Sequence, residues 1–270
     1  MGRQMGLLGR APHWRAVAFA CGLSWLAPTT DLVAATPDGF KPFEAVAQSA
    51  EPFGLSVAAV PAGALQDKWL GLARQLDDDG VQLALCDGDR EHCASDAALQ
   101  FLTIVDSGRL RDGRARLGDI NRAINLAIRP MSDLAQYGEV DVWTSPLMTF
   151  DHGAGDCEDY AIAKFMALRQ AGLAAEDLRI VIMRDTIRGE DHAVAAARLD
   201  GHWLMLDNRR MALVEDIDVR NYRPLFVFDQ SAIMQYSDAP LLAHAPAREP
   251  MPTMASAARP RLIAAVAATR

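Results

Sequence analysis

Basic charge is scarce in this chain: 27 Lys and Arg stand against 35 Asp and Glu, the formal net charge is -8, and no segment gathers its lysines or arginines into a patch. Neutralising a phosphate backbone needs such clusters, so a nucleic-acid partner is excluded. Long apolar runs are also missing. The longest candidate, Ala16 to Leu26, falls short of the roughly 20 residues a membrane-spanning helix requires. No H-E-x-x-H or comparable ligand spacing occurs, which removes a metal-hydrolase reading. Internal repeats are absent. Aromatic residues disappear after Tyr236, leaving an Ala/Pro/Arg tail over 237–270 that lacks the surface to bury and is expected to be disordered.

The apolar content of 50% over 270 residues nonetheless suffices for a full core, and one catalytic domain is expected over 65–236. Ahead of it, Arg3, Arg10 and Arg15 precede the short apolar run, which ends in the small residues Val33-Ala34-Ala35. That order reads as a secretory signal over 1–35, giving an exported, periplasmic protein; a retained N-terminal anchor is the competing reading. Residues 36–64, rich in Pro, Gly and Ala, read as an extended mature N-terminus. Of the four cysteines, Cys21 lies in the signal. Three then remain, an odd number in a compartment where thiols tend to pair. Cys86 and Cys93 bracket a short polar loop that a disulfide can close, leaving Cys157 free; a zinc site using His92 is the rival, although its spacing matches no C-x2-C element.

Apolar residues recur at helical spacing in three stretches: Leu65, Trp69, Leu72, Leu76; Phe101, Leu102, Val105; and Leu117, Ile120, Ile124, Ile128, the last stopped by Pro130. These stripes read as core. A loop with exposed aromatics is expected over 131–155, then a helix from Asp156 to Gly172. Strand composition follows at Leu178–Ile182, in a hairpin of His192–Leu199 and His202–Asp207 turned by Asp200-Gly201, and at Leu225–Phe228. Helices first and an antiparallel sheet after them make the fold α+β.

Gly153-Ala154-Gly155-Asp156-Cys157-Glu158-Asp159-Tyr160 sets a cysteine in the first turn of a helix entered through two glycines. Unpaired N–H groups and the helix dipole there favour a thiolate and can hold an oxyanion. A small buried hydrophobe is the plainer reading of a lone cysteine, but the glycine-rich entry and the odd cysteine count favour the nucleophile. The hairpin offers a base. A two-residue turn pairs Leu199 with His202 and, stepping outward, Val194 with Asp207, so His192 and Asp207 project from one face as diagonal neighbours. Cys157, His192 and Asp207 thus form a nucleophile, a general base and an orienting acid. His152, five residues before Cys157, is the local rival for the base; His202 lies on the opposite face of the hairpin.

These residues resemble the bacterial transglutaminase-like cysteine proteinases. The motifs that carry the likeness run from about Gly118 to Tyr236: Asn121-Arg122-Ala123-Ile124-Asn125, Asp141-Val142-Trp143, Gly155-Asp156-Cys157-Glu158-Asp159-Tyr160-Ala161-Ile162-Ala163-Lys164, Asp191-His192-Ala193-Val194 and Leu206-Asp207-Asn208. The resemblance implies a papain-like or transglutaminase-like fold, with N-terminal helices and the nucleophile helix packed on an antiparallel sheet. It implies peptide-bond hydrolysis by the same three residues and dependence on Ca²⁺ held by Asp156 and Glu158, with Asp141 as a third ligand and the Trp143 indole as an oxyanion donor. Capping of the helix is the simpler role for the two flanking acids. Yet beside the nucleophile they would raise its pKa, a penalty an oxygen-ligated Ca²⁺ cancels. Known members release biofilm adhesins from the cell surface and are restrained by an inner-membrane receptor, so a surface adhesin and such a regulatory receptor are the implied partners. Two other functions suit the same residues: transglutaminase or amidase acyl transfer, in which an amine replaces water, and a non-catalytic module whose groove only holds a peptide.

Overall fold

A computed structural model of the chain describes residues 50–242. The expected signal segment, residues 36–49 and residues 243–270 lie outside the described residues. Within them a short strand β1 (Val57–Ala59) leads into three helices, α1 (Ala64–Gly88), α2 (Asp96–Arg109) and α3 (Gly113–Ala127). Next come β2 (Arg129–Pro130), α4 (Asp133–Tyr137), α5 (Pro146–His152), β3 (Ala154–Gly155) and α6 (Cys157–Gln170). The remainder is sheet: β4 (Leu178–Asp185), β5 (Glu190–Leu199), β6 (His202–Leu206), β7 (Val214–Glu215), β8 (Tyr222–Phe228) and β9 (Ile233–Tyr236).

Seven strands pair in the order β1-β9-β8-β4-β5-β6-β7, every neighbouring pair antiparallel. The fold is therefore α+β, with the helices packed on one face of an antiparallel sheet. Alternation along the strands divides the side chains into two cores. Ala193, Ala195, Ala197, Leu204 and Leu206 join the helices in the larger one, whereas Val194, Ala196, Trp203 and Met205 face the smaller. Small residues line the contact on both sides, since α6 presents Ala161, Ala163 and Ala167 to the same core. Close packing then brings the helix near the sheet, which matters for the residue at its start.

Three corrections concern segments between or beside the expected elements. Residues 50–60, placed outside the domain on composition, are packed: β1 pairs with β9, Phe53 meets Tyr236 edge-on at 6.0 Å, and Glu51 forms a nearly buried ion pair with Arg179 at 2.7 Å. Residues 237–242 belong with them. Leu242 bridges to Tyr222, and Ser237 N–H donates to Ser56 O at 2.9 Å, so the end of the sheet covers six residues of the expected tail.

The third correction is the loop over 131–155, which contains two helices. Ser145 caps α5, Pro146 opens it, and Gly153 closes it in the left-handed conformation at φ 61°; these are ordinary helix punctuation. Phe150, expected to be exposed, is buried against Phe101 with ring centroids 5.5 Å apart. The buried carboxylate of Asp79 on α1 accepts from Ser145 Oγ at 3.0 Å and Leu147 N–H at 2.8 Å, fixing the start of α5 from a distant helix.

Cys86 and Cys93 are joined in a disulfide with a sequence separation of 7. Among the described residues no helix is long and apolar enough to cross a membrane. The disulfide ties the last turn of α1 to the residues before Ser95, the cap of α2. Closing so short a loop stabilises by about 2 kcal/mol through the unfolded chain. Replacing both cysteines with serine is expected to lower the unfolding free energy in urea by about that amount, while leaving the alkylation rate of Cys157 unchanged.

Candidate active site

The start of α6 is held by three contacts. The parallel pair β2 and β3 aligns Pro130 with Gly155, delivering the chain to Asp156. Gly155 is required by packing, because a Cβ there would lie 2.6 Å from Asp159 Oδ2. Asp159 is fully buried; its Oδ1 accepts from Thr144 N–H at 3.0 Å and Thr144 Oγ1 at 2.7 Å, and its Oδ2 from Asp156 N–H at 3.3 Å. One carboxylate thus ties the loop after Trp143 to the helix that begins at Cys157.

Cys157 opens into a cleft of about 760 Å³ that His192, Asp156, Glu158, Asp141 and Trp143 also line. Its Sγ accepts from Ala193 N–H at 3.4 Å and donates to Glu158 Oε2 at 3.1 Å. Burial first, then the Glu158 carboxylate, push the thiol well above its ordinary pKa, against the donation from Ala193. His192 is 1% exposed and its Nε2 lies 2.9 Å from Asp207 Oδ1, as the hairpin register requires. The other ring nitrogen, Nδ1, is buried with no hydrogen-bond partner among the described residues. Burial opposes charge on Asp207, but the His192 contact, the Arg209 N–H at 2.9 Å and the nearby Lys164 outweigh it, and the carboxyl lies below its usual range. His152, the rival base, is bonded to Tyr137 and Gln136 and is not among the residues lining the cleft.

The acids by the sulfur crowd one another. Burial, followed by the Glu158 carboxyl and the charges of Asp133 and Asp159, pushes Asp156 up to about 9. Among the described residues two groups have ligand atoms within 4.8 Å of one another: Asp133 with Asp156 and Asp159, and Asp156 with Cys157 and Glu158. Oδ1 of Asp133 and Oδ1 of Asp156 are both buried without a hydrogen-bond partner there. Uncompensated carboxylate oxygens in mutual reach fit a hard, oxygen-ligated cation such as Ca²⁺.

Two residue roles are corrected. Asp141 belongs to neither acid group; it is 71% exposed at the side chain and paired with Lys68 at 2.5 Å, whereas Asp133 lies with Asp156 and Asp159 in one of them. Trp143 lines the cleft, but its indole N–H donates to Asp141 Oδ1 at 3.0 Å and is therefore committed away from an oxyanion. Sequence reasoning missed Asp133 because only folding brings α4 beside the start of α6.

A family model for the bacterial transglutaminase-like cysteine proteinases matches residues 82–236. The chain belongs to that family. As a bacterial transglutaminase-like cysteine proteinase it is a cysteine peptidase, with the thiol of Cys157 the one free cysteine among the described residues. Similar solved structures include Legionella pneumophila LapG, 20% identical, covering 60% of this chain and 88% of that one with a TM-score of 0.48. A calcium-bound LapG from the same organism is also 20% identical and covers 58% and 87%, with a TM-score of 0.48. An EGTA-treated form covers 59% and 86% at 20% identity, with a TM-score of 0.49. No curated protein matches the proteinase. The family match begins inside α1, so residues 64–81 of that helix, among them Leu65 of the cleft lining, lie outside it.

Proposed function

We propose that this proteinase is an exported, periplasmic endopeptidase that cuts peptide bonds of a cell-surface protein, with Cys157 as nucleophile, His192 as general base and Asp207 as orienting acid. The observation that carries the reading is the pairing of His192 Nε2 with Asp207 at 2.9 Å while Ala193, the next residue, donates to the Cys157 sulfur. That pairing leaves Nδ1 of the imidazole buried and without a hydrogen-bond partner among the described residues, and His192 and Cys157 line the same cleft.

The chemistry follows from those positions. Nδ1 of His192 takes the thiol proton, and the thiolate attacks the substrate carbonyl carbon. Backbone N–H groups in the first turn of α6 face the resulting oxyanion. Collapse expels the amine, which receives the proton from His192, and an acyl-enzyme thioester remains. Water then attacks the thioester, His192 again taking a proton and returning it to the sulfur. Asp207 holds the ring in one tautomer and stabilises the imidazolium, without itself moving a proton.

Asp156, with Asp133 and Asp159 on one side or with Glu158 on the other, would hold the Ca²⁺. When bound, it would supply positive charge that offsets the Glu158 and Asp156 repulsion, which adds to burial in raising the thiol. Glu158 bears on this directly, since its carboxylate presently accepts the thiol proton that His192 must take. Alkylation of Cys157 by iodoacetamide at pH 7.5 is expected to slow by about tenfold or more in EGTA, one pKa unit being tenfold in thiolate, and to recover with added CaCl2. Equal rates in EGTA and CaCl2 would remove calcium from the account, and labelling no faster than a free thiol in either would favour a peptide-holding module. Primary-amine incorporation into a glutamine substrate separates acyl transfer from hydrolysis. The adhesin-like substrate and an inner-membrane regulatory receptor rest on the family resemblance alone.

A further inference from the structure

The hydrogen-bonded ladder of the hairpin stops one residue short of the triad acid. Its last outward pair is Ala195 with Leu206, and Asp207 through Met211 run on as a turn beyond β6. A carboxylate on such a turn needs other support if it is to keep one position behind a general base.

Two helices provide it. Asn121 and Asn125, one turn apart on α3, share a face. Asn125 Nδ2 donates to Asp207 O at 3.0 Å and Arg210 O at 3.1 Å, and Asn121 Nδ2 to Arg210 O at 3.0 Å and Met211 O at 3.3 Å. From α6, Lys164 Nζ donates to Leu206 O at 3.3 Å. Lys164 and Asn121 are both 0% exposed. Lys164 lies seven residues after Cys157 on the same helix, a spacing that returns to the same face after two turns. One helix therefore touches β5 beside the base through its first residue and the end of β6 beside the acid through its eighth.

Stability alone gives a poor reason for these residues. A buried ammonium loses hydration that a single long hydrogen bond to a carbonyl does not replace, and a well-packed apolar side chain of that size usually stabilises a core as well or better. The amide oxygens of Asn121 and Asn125 are themselves buried without a hydrogen-bond partner among the described residues. What the three side chains share is the backbone they hold.

We propose that Asn121, Asn125 and Lys164 form a buried polar buttress that positions Asp207, and through it His192, for catalysis. The inference rests on the triad reading above. Lys164 also sits near enough for its charge to favour the Asp207 carboxylate, while burial draws the lysine itself down to about 7. Other ionisable neighbours are Tyr160, whose ring lies 5.6 Å from Nζ, and His192 across the carboxylate.

The test uses the full chain in CaCl2. Asn125→Ala, at a half-buried position, and Lys164→Met, which keeps the stem volume, are made alone and in an Asp207→Ala background, with circular dichroism to check folding. Alone, each is expected to slow iodoacetamide alkylation of Cys157 about tenfold, in keeping with the cost of small misplacements. Each is also expected to broaden or remove the low-field proton resonance of the His192–Asp207 hydrogen bond. In the Asp207→Ala background each should change the rate less than twofold, since nothing remains to be positioned. The same slowing in both backgrounds, or an unmoved resonance and full rate in both folded single variants, would overturn the buttress and leave the triad standing. Full alkylation by Asp207→Ala itself would instead sink the triad reading and this inference together.

Discussion

Cys157→Ser is expected to lower turnover by about four orders of magnitude or more while the circular dichroism spectrum and unfolding midpoint stay close to wild type. Serine fits the space of the thiol, and its hydroxyl can keep both contacts, to Ala193 N–H and to Glu158. Chemistry is where the two differ. A thiol in this crowd of carboxylates is already held above its ordinary pKa, and an alcohol in the same place is far harder to ionise and a weaker nucleophile at neutral pH. The measurement is a comparison of the cell-bound and released proteins of a Cys157→Ser strain with wild type, read for a polypeptide that stays uncut and cell-bound. A substrate cleaved equally in both strains would end the peptidase mechanism as written.

The second large effect belongs to the His192 and Asp207 pair. His192→Ala removes the proton acceptor and should approach the loss seen for the cysteine, whereas Asp207→Ala removes the oxygen that orients the ring and should cost about 10⁴ in kcat. The two losses act on one unit, so the double variant should be scarcely worse than His192→Ala. A pH dependence accompanies them. Asp207 has a folded pKa below its unfolded value, so the stability it contributes is present above the ordinary carboxylate range and is lost as pH falls through the lower, folded value. Replacing it with asparagine should flatten that acid limb in a series of urea unfolding curves. An unchanged acid limb, or activity retained in Asp207→Ala, would argue that another acid orients the ring.

Much of the site is legible in the chain because it depends on local rules. The glycine-rich entry, the helix from Asp156 to Gly172 and the Asp200-Gly201 turn each follow from neighbours in sequence, and the period of a strand carries His192 and Asp207 to one face. The three N-terminal stripes carried the core helices for the same reason. Less was read where a short signal was set among polar residues. The Ser145-Pro146 start and Gly153 stop of α5 were present in the loop over 131–155, but seven residues hold too few apolar positions to show a period. Strand β1 is only three residues long, and its place in the sheet depends on pairing with β9, more than 170 residues away.

Sequence by itself determined where the proposed catalytic groups lie: a cysteine at a helix start, a histidine and an aspartate on one hairpin face, and acids beside that cysteine. Tertiary structure alone decided their company. It brought Asp133 rather than Asp141 to the acid group, gave the Trp143 indole to Asp141, aimed the thiol at Glu158, and set Asn121, Asn125 and Lys164 against the backbone around Asp207. The division has a physical cause. Backbone periodicity fixes the direction of a side chain within its own element, whereas the distance between two elements is set by how their side chains pack, and hydrogen bonds and charge interactions change steeply over that distance.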